Sequence, residues 1–254
     1  MLFKELENQI ATELSKLTGD VGIHIEFLKS DEVISKNESK QFWAASIVKV
    51  TIACAYFKKV THGELLPETR VAINPSNIVL GSGVLKLLNT TNTYTYKDLV
   101  TLMLVVSDNS ATNELIDAVG IDSINLYIQK LGLLNTTLKH KMMIKAGKGP
   151  NLTTAADQGK LLKLLYENKL PGSNETLSLL KEETDRRRLP LLIPNNIEIA
   201  HKTGSLELAV HNVGIVYSQN PFIFSFLSDD QEDKQLTTAV LATCAKLCYD
   251  YSCS

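Results

Sequence analysis

The sequence predicts an α/β protein in which strands from both chain ends form one unit and a helical unit is inserted between them. Apolar residues alternate, as in strands, near both ends of the chain, whereas the middle shows helical spacing interrupted by Gly, Asn and Pro. The 254 residues, 44% of them hydrophobic, suffice for one large domain or two intertwined ones. We therefore expect residues 1–45 and 195–254 to form an α/β unit and residues 46–194 an all-helical unit.

The amino-terminal part predicts a helix followed by two strands. Apolar residues recur on one helical face over 3–17, which predicts an amphipathic helix. Residues 21–27 (VGIHIEF) alternate as a half-buried strand does, and a second short strand is expected at 33–35. Helical spacing returns at 46–60 and continues, with interruptions, to about residue 189.

The carboxy-terminal part predicts three strands and a closing helix. The strand period returns at 197–201. Residues 213–217 and 222–227 are predicted to form two more strands, joined by a hairpin turn at 218–221. A helix at about 233–249 closes the chain.

The charge balance and the hydrophobic pattern exclude several classes of partner. Lys and Arg number 26 and Asp and Glu 28, a net charge of −2, so no basic footprint for nucleic acid or an anionic membrane is expected. No apolar run approaches the roughly 18 residues of a membrane span.

The amino-terminal sequence MLFKELENQIATELSKL lacks the features of a secretory signal, which predicts a cytoplasmic protein, or a secreted or periplasmic one if a signal has been removed. The oligomeric state stays open.

The four cysteines do not indicate a metal site. Three of them lie near the carboxy terminus, and Cys244 and Cys248 share a helix face by their i,i+4 spacing. No histidine joins them at ligand spacing, so we expect free thiols, no metal and no cofactor.

The first motif with candidate chemistry is Ser46-Ile47-Val48-Lys49, at the start of a predicted helix. The i,i+3 spacing places the hydroxyl of Ser46 and the amine of Lys49 on one face. The apolar flanks, FWAAS and VTIACAYF, indicate a buried helix, where a desolvated lysine can lose its proton and act as a base toward the serine. Alone, the tetrapeptide is also compatible with a serine helix cap and a solvated lysine.

The second motif, Ser107-Asp108-Asn109, follows the apolar run LVTLMLVV. Such a tripeptide is typical of a loop or a helix cap. Its functional interpretation is a hydroxyl that passes a proton to a leaving group and an amide that holds a substrate.

The third motif, His201-Lys202-Thr203-Gly204-Ser205, ends a predicted strand. It is compatible with an ordinary strand end and a turn glycine. Functionally, it offers a cation and a hydroxyl beside an edge strand that can pair with an extended acyl substrate, and a backbone N–H that can face an oxyanion.

Together, in this order, the three motifs resemble those of class A β-lactamases and penicillin-binding proteins. The resemblance to the class A β-lactamase family covers nearly the whole chain. It includes Phe42 and the stretches LGLLNTTL, NLTTAADQGKLLKLL, LPLLIPNNIEIAHKTGS and HNVGIVY. It implies a three-layer α/β unit with a mainly antiparallel sheet, an inserted all-α unit and an active site at their interface.

The resemblance implies a serine hydrolase that forms an acyl-enzyme with β-lactams or related amides and esters. The implied catalytic residues are Ser46 as nucleophile, Lys49 as its base and Ser107 as the relay that passes the proton to the leaving nitrogen. Lys202 is implied to be the cation that stabilises negative charge developing along this proton path. Backbone N–H groups of Ser46 and Ser205 are implied to form the oxyanion hole. The implied substrate-binding residues are Asn109, Thr203, Gly204, Ser205 and Arg188.

Arg188 is the least direct of these assignments. Many family members carry an arginine on the strand after the third motif, but the matching position here is Val213. In other members an upstream arginine reaches the same place, and counting back from Lys202 without gaps gives Arg188. The run Arg186-Arg187-Arg188 is equally compatible with a solvated helix end.

The loop at 139–151, KHKMMIKAGKGPN, departs from the family pattern. Class A enzymes place there a glutamate that activates the water for deacylation. Here residues 123–156 contain no acid and carry five lysines, Lys130, Lys139, Lys141, Lys145 and Lys148.

Three outcomes follow from the missing acid. The chain is a slow β-lactam or ester hydrolase, a penicillin-binding carboxypeptidase or esterase, or a β-lactam-binding sensor with a persistent adduct. His140 in the same loop is a residue type suited to base catalysis, but its lysine-rich surroundings favour a surface histidine.

Overall fold

A five-stranded antiparallel sheet built from both chain ends organises the molecule, in the order β2-β1-β9-β8-β7. The computed structural model describes residues 1–89, 91–144, 147 and 149–254. The strands are β1 (Asp20–Phe27), β2 (Val33–Lys36), β3 (Phe42–Trp43), β4 (Arg70–Ala72), β5 (Thr93–Thr95), β6 (Leu152–Thr153), β7 (Ile199–Leu206), β8 (Ala209–Val216) and β9 (Phe222–Asp229). The helices are α1 (Phe3–Leu14), α2 (Val48–Thr61), α3 (Tyr96–Val105), α4 (Asn109–Val119), α5 (Ile121–Lys130), α6 (Ala155–Tyr166), α7 (Ser173–Lys181) and α8 (Lys234–Ser252).

The two faces of the sheet bury two separate hydrophobic cores. Successive residues of β9 point to opposite faces, as the period of a strand requires. Phe222, Phe224 and Phe226 therefore pack with α1 and α8, whereas Ile223 and Leu227 pack with the helical middle of the chain. The result is three layers, with the sheet between the terminal helices and the inserted helices.

The inserted segment surrounds helix α2. Nine consecutive residues of this helix, Val48–Tyr56, are buried, which agrees with the apolar flanks of the first motif. Two short ladders, β3 with β6 and β4 with β5, lie among the helices. The mixed α/β class and the mainly antiparallel sheet are confirmed, while the division at residues 45 and 195 stays a prediction.

The third motif lies inside a strand, not at its end. The predicted strand at 197–201 extends to Leu206 as β7, because β8 pairs with it from Ala209 onward. Thr-Gly-Ser looks like a turn in the sequence, but pairing with a long neighbour keeps it extended. The strand lies at the edge of the sheet, as predicted.

Two further predictions concern cysteines and membrane helices. All four cysteines are free, with Cys54, Cys244 and Cys248 buried and Cys253 exposed. Among the described residues, no helix combines the length and apolarity needed to cross a bilayer. Of the five lysines of the acid-free stretch, Lys145 and Lys148 lie outside the described residues.

Candidate active site

Ser46 lies in a tight turn immediately before α2. The turn is a 3-10 helix over Ala45–Ile47, and Ala45 adopts a φ of 44°. A residue other than glycine in this left-handed region carries conformational strain, a feature that concentrates at functional sites. The turn presents Ser46, half-buried, to a cavity of about 210 Å³.

Lys49 is fully buried beneath this turn. Its Nζ lies 2.7 Å from Ser107 O, 2.8 Å from Asn109 Oδ1 and 3.1 Å from Ser107 Oγ. Burial, and secondarily the positive charge of Lys202, hold the pKa of Lys49 well below its ordinary value. A neutral Lys49 can donate its two N–H bonds to the two shorter contacts and accept from the Ser107 hydroxyl. Within the described residues no hydrogen bond joins Lys49 to Ser46.

Asp108, the middle residue of the second motif, is structural. One carboxylate oxygen caps helix α4 through the N–H of Ala111, at 2.9 Å. The other accepts from the N–H groups of Val84 and Leu85, at 2.6 and 2.7 Å. Asp108 thereby fixes Ser107, whose φ is 55°, against the loop at 80–85.

The loop at 80–85 brings Ser82 to the cavity, and sequence analysis did not identify this residue. The N–H of Asn109 donates to Ser82 O at 3.1 Å, and the Asn109 amide to Leu80 O at 3.2 Å. A side chain on Gly81 would lie 2.7 Å from the Asn109 amide nitrogen, and Gly81 has a φ of 91°. Glycine is therefore required for this close approach.

Lys202 is paired with an acid that the sequence did not identify. Its ammonium donates to Glu183 Oε1 at 2.6 Å, and both side chains are buried. The backbone N–H of Thr203 donates to Glu183 Oε2 at 2.9 Å, and the Thr203 hydroxyl also donates to this carboxylate. Glu183 lies 19 residues before Lys202 and has no local pattern, so no sequence signal could have joined them.

Arg188 connects the segment after α7 to strands β7 and β8. Its Nη1 donates to Gly204 O at 2.6 Å and to His211 O at 2.7 Å, and its Nη2 donates to the Ser205 hydroxyl. The side chain of Arg188 is buried, whereas that of its neighbour Arg187 is exposed and pairs with Asp185; both residues line the cavity. Among its three partners, only the Ser205 hydroxyl can turn to another acceptor.

Strand β7 lies directly against the Ser46 turn. A Cβ on Gly204 would lie 3.2 Å from the side chains of both Ala45 and Ile47, the neighbours of Ser46. The cavity walls therefore combine Ser46 and Ser107 with Thr203, Gly204 and Ser205. The structure brings all three sequence motifs together around one cavity.

The acid-free loop is anchored on α4. Met142 donates its backbone N–H to Asn113 Oδ1 at 2.7 Å and accepts from Asn113 Nδ2 at 3.1 Å. Asn113 is one helical turn after Asn109, which binds Lys49. Lys141 pairs with Asp117 at 2.6 Å, and the Nδ1 atom of His140 lies 2.7 Å from the carbonyl oxygen of Lys141.

Histidines and carboxylates do not assemble into a metal centre. In the part of the chain that the structure describes, no group of three or more His, Cys, Asp or Glu side chains could hold a metal ion. His201 and His211 are buried in the sheet, where His211 lies 2.8 Å from Trp43 O and accepts from the N–H of Ser228.

Known proteins share this architecture along the whole chain. The beta-lactamase VEB-1 of Pseudomonas aeruginosa is 23% identical, over 96% of this chain and 89% of that protein. A beta-lactamase of Sphaerobacter thermophilus superposes with a TM-score of 0.92 at 26% identity, covering 99% and 98% of the two chains. PBP-A superposes with a TM-score of 0.90 at 25% identity, covering 98% and 96%. A leucine-to-glutamate variant of PBP-A has been solved as an acyl-enzyme complex with penicillin G.

The family match agrees with the geometry of the cavity. Residues 5–252 match the family described as the beta-lactamase enzyme family. The solved neighbours superpose on nearly the whole of this three-layer fold. The chain therefore belongs to the beta-lactamase enzyme family.

Proposed function

We propose that the protein is a class A β-lactamase-like serine hydrolase that forms an acyl-enzyme on Ser46 and hydrolyses it slowly. The observation that carries the proposal is the buried Lys49 amine, held by Ser107 and Asn109 next to the turn that presents Ser46. A lysine desolvated in this way is a base, because burial favours its neutral form.

Acylation follows from this arrangement. The Ser46 hydroxyl loses its proton to Lys49 as Oγ bonds to the substrate carbonyl carbon. The oxyanion is proposed to be stabilised by the N–H groups of Ser46 and Ser205, and the close packing of Gly204 on both neighbours of Ser46 supports this assignment. The C–N bond then breaks, and the proton passes from Lys49 through Ser107 Oγ, 3.1 Å away, to the departing nitrogen.

The other end of the cavity suits a substrate carboxylate. Arg188 and the hydroxyls of Thr203 and Ser205 line it, and the Arg188 guanidinium already contacts Ser205 Oγ. The Thr203 hydroxyl donates to Glu183, so a substrate carboxylate accepts from the Ser205 hydroxyl and lies beside a permanent positive charge. Asn109 is proposed to bind the side-chain amide of the substrate.

Deacylation is proposed to be slow because the loop at 139–151 contains no acid. Met142, which Asn113 of α4 holds by its backbone, has no proton-accepting side chain. Water attack on the acyl-enzyme then depends on Lys49 or on a loosely held water. A carboxylate base would contribute about 10²–10⁴ in rate.

A penicillin-binding carboxypeptidase or esterase is the second candidate. The acid-free loop favours it, since an incoming acceptor and Lys49 can complete the second step without a carboxylate. The neighbour PBP-A, solved as an acyl-enzyme with penicillin G in a variant form, supports a stable adduct in this fold. A β-lactam-binding sensor with a persistent adduct is the non-enzymatic form of the same chemistry.

Intact mass after mixing with a penicillin and with a chromogenic cephalosporin tests the proposal. We expect an adduct that forms on Ser46 and decays slowly with release of hydrolysed product, and no adduct with Ser46→Ala. A permanent adduct instead supports the carboxypeptidase or sensor. Neither adduct nor turnover in the unmodified protein would refute the acyl-enzyme proposal.

A further inference from the structure

Glu183 is a buried carboxylate that contacts residues of the third motif beside the cavity. It is 3% exposed and lines the same cavity as Ser46. Its partners are three consecutive residues of β7, with Lys202 Nζ at 2.6 Å, the Thr203 N–H at 2.9 Å and His201 Nδ1 at 3.3 Å. A surface acid at a helix end would have no such set of contacts.

A general-base role does not fit these contacts. The two oxygens of Glu183 accept from the Lys202 ammonium and from both the N–H and the hydroxyl of Thr203. Donors on both oxygens occupy the lone pairs that a base would need for an attacking water. Glu183 is therefore poorly arranged to take a proton from water, despite its position in the cavity wall.

A counter-ion role fits them. Lys202 is fully buried, and burial lowers its pKa while Glu183 opposes this effect. The other charged or titratable groups that face it are Lys49 from α2, Asp185 and Arg188 from the segment after α7, and His201 on its own strand. Without Glu183, burial and the like charge of Arg188 both favour the neutral amine.

We infer that Glu183 is a positioning residue that keeps the buried Lys202 protonated and fixes Thr203 in the cavity wall for acylation by carboxylate-bearing substrates. The inference rests on the proposed acyl-enzyme function. The charged Lys202 then lowers the cost of moving a proton through Ser107, and the fixed Thr203 keeps the nearby Ser205 hydroxyl in place for the substrate carboxylate.

The test measures the rate of Ser46 adduct formation against pH for the unmodified protein, Glu183→Gln and Glu183→Asp. When the pKa of Lys202 falls one unit below the assay pH, about a tenth of the lysine stays charged, so we expect Glu183→Gln to acylate about tenfold more slowly. The deficit shrinks as pH falls and Lys202 regains its proton. Glu183→Asp keeps the charge and recovers part of the rate.

Controls separate this inference from its alternatives. Glu182→Gln changes an exposed neighbour and should leave the rate unchanged. An unchanged rate in Glu183→Gln, or a deficit independent of pH, would overturn the inference. Normal acylation with a longer-lived adduct would instead identify Glu183 as the deacylation base. If Glu183→Gln does not fold, a pH profile of Glu183→Asp identical to that of the unmodified protein overturns it too. Failure of the unmodified protein to acylate would refute the proposed function itself.

Discussion

Lys49 is the side chain whose chemistry depends most on its surroundings. An exposed lysine is protonated at neutral pH, but this one is buried in α2 and faces the positive charge of Lys202. Two acceptors, Ser107 O and Asn109 Oδ1, hold the amine without supplying a negative charge. Its basicity is therefore a property of the site, which a four-residue motif alone cannot specify.

The pH profile of acylation tests this view of Lys49. The neutral amine is the active form, so the acylation rate should fall as pH falls through the lowered pKa of Lys49 and should rise above it until Lys202 loses its proton. Lys49→Arg, which keeps a charge but cannot act as a base, should acylate about 10²–10⁴-fold more slowly across the range. If the acylation rate of the unmodified protein does not change with pH over the range in which the protein stays folded, Lys49 is not the base.

Arg188→Ala tests the carboxylate subsite. Loss of a buried charge that contacts an anion costs at least about 2 kcal/mol, so KM for a carboxylate-bearing substrate should rise roughly 30-fold. KM for an ester without the carboxylate should change far less. Arg188 also holds Gly204 and Ser205, and equal effects on both substrates would mean that this structural contact is its only role.

At the scale of elements, the start of α4 organises one side of the site. Asp108 caps the helix and binds the loop at 80–85, Asn109 reaches Lys49, and Asn113 anchors the acid-free loop one turn later. A single helix end therefore sets the positions of the base, a cavity wall and the loop in which the family keeps its glutamate.

Met142→Glu tests whether a carboxylate is all that the acid-free loop at 139–151 lacks for fast deacylation. Met142 is buried and its backbone is held by Asn113, one helical turn after the Asn109 that binds Lys49, so a glutamate there would have a pKa raised by burial, as a base requires. We expect the Ser46 adduct with a penicillin to decay at least about tenfold faster. Met142→Gln, similar in size but not a base, should keep the slow decay, and equal lifetimes in the two variants would disprove the idea.

The sequence predicted the elements better than the contacts between them. Ser46 and Lys49 are three residues apart, so helical geometry places them on one side, and the edge strand was predicted with its motif. Glu183 and Lys202 meet only because β7 packs beside the segment after α7. Glu183 was not predicted as the partner of Lys202 because a tertiary contact leaves no periodic signal in the sequence. The third motif was placed at a strand end because its Thr-Gly-Ser letters favour a turn until β8 pairs with them.

At the scale of the whole molecule, the central sheet connects the two cores and carries one wall of the site. Strand β7 brings Thr203, Gly204 and Ser205 to the cavity, while β8 and β9 bury apolar residues on both faces. His201 on β7 and His211 on β8 are buried within this sheet, one beside Glu183 and the other bridging Trp43 and Ser228. Their protonation therefore concerns the stability of the entire fold.

The stability of the protein should fall as pH falls from about 7 to about 4. Burial, the largest cause, lowers the pKa of both His201 and His211 from 6.5 to about 4. Between those values the unfolded chain binds protons that the folded chain does not, so acid favours unfolding, and above 6.5 the contribution is constant. Each histidine should cost about 2 kcal/mol of unfolding free energy between pH 7 and pH 5, measured by urea titration. His211→Gln should remove about half of this slope, whereas exchange of the exposed His62 should leave it unchanged. A flat dependence above pH 5 would mean that these histidines are charged or accessible in the folded protein.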